Sequence, residues 1–223
     1  MSPRNDAITR ERLSRDAIAE GALQLADREG LAAVTIRRLA ADNSVTPMAL
    51  YWHFKDKDAV LDGIAERIYA SVELPAETDA AWDTQLRSVL EAVLAAIRPH
   101  PLAADLLAPR VMASEPGLVL DERAIGLLRS AGLSAPQASQ VSSFLLCSII
   151  TLVTSEPGGQ VIASDDNDAL YRSKRAQLES LDPKRFPHLL ESAEFFLVCD
   201  DEAQYFSRGL DFLITGTRGV LPA

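Results

Sequence analysis

Between Thr35 and Asp56 the chain offers three helix starts in quick succession, so no helix in that stretch can be long. Thr35 is placed to cap a helix that turns Ile36, Leu39 and Ala40 inward, the spacing of a single buried stripe. Asp42-Asn43-Ser44-Val45 reads as a turn. Thr46 then caps again, with Pro47 at the first helical position, where a missing N–H loses no hydrogen bond. Asp56 starts the next helix, with Val60, Leu61, Ile64 and Ile68 facing inward, Asp58 near its positive end and Pro75 as its stop. Two short helices joined by a tight turn, the second rich in rings and polar tips, form a helix-turn-helix arrangement.

Upstream, Ile18, Ala22, Leu25 and Ala26 mark one face of a first helix, predicted from Thr9 to Glu29 and closed by Gly30. Downstream, apolar-patterned segments are broken at Pro99-His100-Pro101, Pro109, Pro116-Gly117 and Gly132. A long helix is expected over 136–155, ending at Glu156-Pro157-Gly158-Gly159, with shorter ones near 170–181, 188–198 and 200–219. No segment sustains the alternation of a strand. The expected fold is all-α: an N-terminal three-helix helix-turn-helix domain over residues 1–57, a fourth helix from about residue 56 as connector, and a larger helical regulatory and dimerisation domain over 58–223.

The 223 residues are 48% hydrophobic and 24% charged, ample material for a core. Cys147 and Cys199 sit in apolar surroundings without CxxC or Cys/His spacing, which argues for buried, inert thiols in a reducing cytoplasm. The first residues lack the apolar stretch of a signal peptide. The longest apolar run, Phe144 to Val153, is about half of the ~20 residues that span a bilayer, so it reads as a buried helix and no membrane is expected. The net charge of −10 is unevenly spread. Residues 1–57 carry 9 Lys/Arg against 8 Asp/Glu, whereas 58–223 carry 13 against 24. Only the front end is suited to approach a polyanion.

Tyr51, Trp52, His53 and Phe54 crowd four rings into a chain that is only 6% aromatic. On a helix over 46–54, Leu50 and Phe54 point toward the core with Val45, while Pro47, Met48 and Tyr51 point away. The run of rings is thereby divided between packing and an outward surface.

The stretch TIRRLAADNSVTPMALYWHFKDKDAVLDGI, residues 35–64, resembles the DNA-binding signature of the TetR family of transcriptional regulators. The C-terminal YFSRGLDFLITGTRGVL is similar to the last helix of its tetracycline-repressor-like subgroup. One departure is Ser44, where the family usually has Gly at the turn. The resemblance implies DNA contacts from Thr46, Pro47, Met48, Ala49, Tyr51 and His53. It also implies a base-reading Arg37, a phosphate-binding Lys57 acting with its helix N-terminus, and a backbone clamp at Thr35. Trp52 matches a position that braces the third helix, and Arg4, Arg10, Arg12 and Arg15 form a candidate arm. It further implies a homodimer on a palindromic double-stranded operator, released by a small molecule and needing no cofactor.

For that molecule the candidate contacts are Trp82, His100, Met112, Phe144, Cys147 and Thr151. The spacing of Phe144, Cys147, Ile150 and Thr151 equally suits core packing or a dimer seam. That seam is expected along 136–155 and 200–219, with Gly209, Gly216, Leu210 and Leu213 permitting close approach. No GxSxG, HExxH, P-loop or GxGxxG motif occurs, so no enzyme is expected. Asp165, Asp166 and Asp168 lack the Gly and Glu of an EF-hand loop, so no metal is expected. Two other readings compete: a DNA-binding dimer of this fold governed by a protein partner, and a helical ligand-binding protein or enzyme with a non-functional head.

Overall fold

The computed structural model describes residues 14–155, 167–197 and 201–222. Its α-helices are α1 (Arg15–Glu29), α2 (Ile36–Asp42), α3 (Pro47–Tyr51), α4 (Lys57–Ala70), α5 (Trp82–Ile97), α6 (Glu115–Ser130), α7 (Ala135–Thr154), α8 (Asn167–Glu179), α9 (Pro187–Glu191) and α10 (Glu202–Gly219). Short 3-10 turns occupy Ala104–Leu106, Ala108–Ala113 and Ala193–Phe196. Among the described residues there is no strand.

The expected caps set the head. Thr35 and Thr46 accept from the amides of Arg38 and Ala49, at 3.1 and 3.4 Å, and Asp56 accepts from Ala59 at 2.8 Å. Each side-chain oxygen satisfies an amide that the first turn of a helix leaves open. Val34, Leu39, Leu50 and Phe54 close over Ile18, Ala22, Leu25 and Ala26 of α1. Helix α4 lies along α1 and continues into the body, where it packs on α6 and on the 3-10 turns. The body is layered from α5, α6 and α7, with α10 across α5 and α7.

Several polar contacts bind the connector to the body. The Tyr69 hydroxyl on α4 donates to the Leu107 carbonyl at 2.7 Å, and burial pushes that phenol well above its ordinary range. Arg110, in the second 3-10 turn, donates to Asp62 at 3.0 Å and Asp58 at 2.6 Å, both on α4. Across α5 and α10, Arg87 pairs with Asp211 at 2.5 Å and Arg218 with Asp83 at 2.6 Å. The hydrogen bond from Arg218 holds the Asp83 carboxyl below its ordinary range.

Several boundaries differ from the sequence reading. Residues 9–13 of the predicted first helix lie outside the described residues, as do Arg4, Arg10, Arg12, Asp165, Asp166, Cys199 and the 156–159 stop. Helix α3 ends at Tyr51 rather than 54, because Trp52 and His53 form a turn that brings Phe54 inward. Helix α4 ends at Ala70, where Ser71 caps it ahead of Pro75. Pro116-Gly117 is no break: it lies inside the first turn of α6, capped by Ser114. The expected helix over 188–198 splits into α9 and a 3-10 turn at Ser192. Helix α7 is long and apolar enough, by length and composition alone, to cross a membrane. It is buried on one face only, so the expectation of a buried helix holds for Leu145, Ile149 and Val153 and fails for Phe144 and Cys147.

Two glycines of the body mark close approaches. A Cβ at Gly117 would stand 2.1 Å from the carbonyl oxygen of Val111. At Gly209 it would stand 2.7 Å from both Leu152 methyls, so this glycine serves the α7–α10 contact within the chain. Gly126 and Gly216 meet nothing within 4 Å. Gly117→Ala should therefore destabilise by about 2–3 kcal/mol, since backbone must move. Gly126→Ala should instead stabilise by about 0.5–1 kcal/mol, because an open helix position gains only from lost chain entropy. Thermal unfolding of the two variants beside wild type checks both signs.

Candidate nucleic-acid interface

Helix α3 is five residues long, so it holds its place by anchoring rather than by its own stability. Leu50 and Phe54 are the anchors, both fully buried. The opposite side is open: Met48 is 67% exposed, Tyr51 49% and Trp52 85%. Thr46 and Pro47 are exposed at the start of the helix, while Ala49 and His53 are half-buried at its flanks. The resemblance gave Trp52 a bracing role, but the ring projects outward because the chain leaves the helix at Tyr51. The signal that could have revealed this is the Asp56 cap, which leaves too little chain for a helix through Phe54.

Helix α2 presents adjacent arginines with different fates. Arg38 is clamped by Glu29 at 2.8 and 3.1 Å and by Asp42 at 3.1 and 3.2 Å, and hydrogen bonding to Glu29 raises its pKa further. Arg37 is exposed, and no ion pair holds it among the described residues. Its guanidinium fork remains available for a bidentate acceptor. Arg15 pairs with Glu66 at 3.5 Å and lies 4.9 Å from the centre of the Phe54 ring, so it serves the α1–α4 junction.

Lys57 donates to the Leu31 carbonyl at 3.2 Å, which places the ammonium over the α1–α2 connection. An ammonium has three donors, so two remain for another acceptor. The N-terminus of α4 is already capped by Asp56, and Asp58 is held by Arg110. That cap occupies one amide of the first turn, that of Ala59, so the Lys57 ammonium stands beside first-turn amides that the cap does not use. Thr35 and Thr46 use a hydroxyl lone pair for capping, and each O–H remains to donate outward.

The six residues expected to contact a small molecule are scattered. Trp82 is half-buried at the start of α5, and Met112 is exposed on a 3-10 turn. His100 bonds Asp27 of α1 through Nδ1 at 2.9 Å. Phe144, Cys147 and Thr151 share the outer face of α7. None of them lines either of two spaces in the body. One is an open groove of ≈ 1040 Å³ between residues 74–78 and α6. The other is a small, partly open cavity of ≈ 30 Å³ among α5, α6, α7 and Val111. No group of three or more His, Cys, Asp or Glu side chains suited to a metal ion occurs among the described residues.

A helix-turn-helix head with an outward recognition face, joined through one helix to an all-α body, defines a DNA-binding regulator. Residues 18–64 match the family described as bacterial regulatory proteins, tetR family, and residues 74–221 match the tetracyclin repressor-like C-terminal domain. The chain belongs to the TetR family. It is 26% identical over 214 residues to an HTH-type transcriptional regulator of Saccharopolyspora erythraea, covering 96% of this chain and 88% of that one. It is 28% identical to the class D tetracycline repressor protein of Escherichia coli, covering 95% and 92%. Its fold is similar to that of ActR of Streptomyces coelicolor in complex with actinorhodin, with TM-score 0.70, 28% identity and coverage of 93% and 97%.

The turn between α2 and α3 carries a local strain. The amides of Ser44 and Val45 donate to the carbonyls of Ala41 and Ala40 at 3.0 and 2.9 Å, the paired bonds of a Schellman stop. That stop needs a left-handed residue, and Ser44 supplies it at φ 54°, where a Cβ is unfavourable. Ser44→Gly should raise stability by about 0.5–1 kcal/mol, the left-handed cost relieved less the chain entropy that glycine adds. Ser44→Ala should not. Urea unfolding of the two variants decides it.

Proposed function

We propose that this protein is a homodimeric transcriptional repressor that holds a palindromic operator through α3 and lets go when a small molecule binds the body. The observation that carries the reading is the α3 face: three large side chains stand exposed over two fully buried anchors, beside an unclaimed arginine. A side chain is held outward at such a cost in apolar exposure where a partner covers it. Arg37 reads guanine through O6 and N7, Tyr51 meets a phosphate or a thymine methyl, and Lys57 with the Thr35 and Thr46 hydroxyls positions the backbone. Pro47, Met48, Ala49 and His53 complete the contact, and Trp52 joins them. The working boundary falls between residues 57 and 58, with α4 shared by both sides. The role is binding without a catalytic step, in the cytoplasm where the operator lies.

A dimer supplies the second recognition helix about 34 Å away, one turn of duplex. The outer face of α7 and the adjoining face of α10 carry Phe144, 60% exposed, and Phe212, 77% exposed, with Cys147, Thr151 and the open Gly216. Two such faces about a two-fold axis build a four-helix bundle. Release needs about 1–3 kcal/mol of coupling between ligand and DNA, a 5–150-fold change in affinity.

Selection of duplexes from a random pool at two salt concentrations tests the reading. An enriched palindrome whose affinity falls steeply with salt is expected, and no enrichment at either salt would overturn it. Against that operator, Arg37→Ala should cost about 1–3 kcal/mol and relax one base position, while Lys57→Ala should lower the salt slope by about one. Phe212→Arg should yield folded monomers in sedimentation, with operator affinity lost because half-sites no longer share one protein.

A further inference from the structure

Among the described residues, the half-buried carboxylates other than Asp121 have basic partners. Glu20 pairs with Arg67, Asp62 with Arg110, Glu66 with Arg15 and Asp83 with Arg218, while Asp27 meets His100. Asp121 on α6 is also half-buried, yet among the described residues its recorded partner is a neutral one. Ser142 of α7, itself buried, donates to its Oδ1 at 2.5 Å. A carboxylate has room for further donors after that bond. An unbalanced charge that is partly withdrawn from water is costly.

Asp121 and Ser142 sit at the small, partly open cavity, whose remaining walls are apolar, among them Val89 and Val93 of α5, Leu145 and Ile149 of α7, and Val111. The space is ≈ 30 Å³, room for a water or two, so a larger occupant must widen it by parting α6 from α5 and α7. We infer that this cavity is the seat of a compact apolar molecule bearing a protonated amine, with the Asp121 carboxylate as its counter-charge and the Ser142 hydroxyl holding that carboxylate in place. The inference rests on the reading of the chain as a ligand-released regulator and names the chemical class of its ligand.

The same cavity touches the transmission path. Val111 forms part of its wall, and the adjoining Arg110 grips Asp58 and Asp62 on α4. Opening the seat displaces the 3-10 turn, and Arg110 conveys that displacement to the helix that begins at Lys57. Arg110 is thus a positioning residue that touches neither ligand nor DNA.

The test uses the full-length dimer and three probes of matched shape: 2-phenylethylamine, 2-phenylethanol and 3-phenylpropionate. Binding is first read without DNA, by thermal shift and calorimetry. The amine is expected to bind more tightly than the alcohol, and the carboxylate not at all. Asp121→Asn should weaken the amine roughly ten- to hundredfold, the loss of one charge-assisted bond, while leaving the alcohol unchanged. Should Asp121→Asn fail to fold, Ala124→Leu fills the cavity from α6 with the carboxylate intact and should block both amine and alcohol. Equal binding of 3-phenylpropionate, an amine affinity indifferent to Asp121→Asn or Ala124→Leu, or no amine binding at all would overturn the inference. Release is then read on the selected operator. The amine should lower wild-type operator affinity at least fivefold, and Arg110→Ala should bind the amine as before while losing that drop. An operator that binds but ignores the amine overturns the seat and leaves the regulator standing. Amine binding by a protein that selects no duplex overturns the regulator reading instead.

Discussion

The ring of Phe54 lies against Gly63. A Cβ on that residue would stand 3.0 Å from the ring edge and 3.3 Å from Ala19, so the glycine lets ring, α1 and α4 meet in one place without the ring giving way. That contact determines what the head can display. Helix α3 has too few residues to persist alone, and Phe54 with Leu50 fixes it to a base made of two longer helices. Burying a phenylalanine contributes about 1.5–3 kcal/mol, which holds the helix in place while Met48, Tyr51 and Trp52 on the other side stay in water. The crowding of rings around residue 51 is therefore a division of labour over one helical turn.

Charge is divided with similar economy. The head is close to neutral and the body strongly acidic, so attraction to a polyanion is confined to the cations left free on the head. Most arginines among the described residues are occupied, for example Arg38 by Glu29 and Asp42, Arg67 by Glu20 and Arg110 by two aspartates of α4. Each clamp removes one source of non-specific adhesion and stiffens a joint. Arg37, next in sequence to a clamped residue, keeps its fork because helical geometry turns it about 100° away from Glu29. A protein that must search among many wrong sites benefits from few free cations in a fixed arrangement, since free charge adds to every encounter equally.

The head was legible because its signals are local. Thr35, Thr46-Pro47 and Asp56 each bind an amide within three residues, so their meaning survives without knowledge of the rest of the fold. The body was less legible because its signals are relational. Phe144, Cys147 and Thr151 repeat with the same period as Leu145, Ile149 and Val153. Periodicity cannot tell a face that meets this chain from one that meets another copy. Gly209 illustrates the same limit, since a small residue marks a close approach without saying to what, and here it is Leu152 of the same chain. The cavity was invisible for a further reason. Val89, Val111, Asp121 and Ser142 come from four separate segments, and only packing reveals that, among the described residues, Asp121 meets a serine where most of its half-buried counterparts meet an arginine.

Helix α7 is where these threads join. Ser142, Leu145 and Ile149 belong to the proposed seat, while Phe144, Cys147 and Thr151 belong to the proposed seam, so the two surfaces run along one helix a residue apart. Such a helix cannot be pushed on one side and stay still on the other, because packed interiors transmit displacement rather than absorb it. A ligand that parts α6 from α7 thus acts in two directions at once. Through Val111 and Arg110 it reaches α4 of its own subunit, and through the outer face of α7 it reaches the partner. The spacing of two recognition helices depends on both. Each route needs to carry only part of the few kcal/mol that separate a DNA-fitting arrangement from a misfitted one. The small volume of the seat fits this arrangement, for a cavity already wide enough would accept a ligand without moving anything.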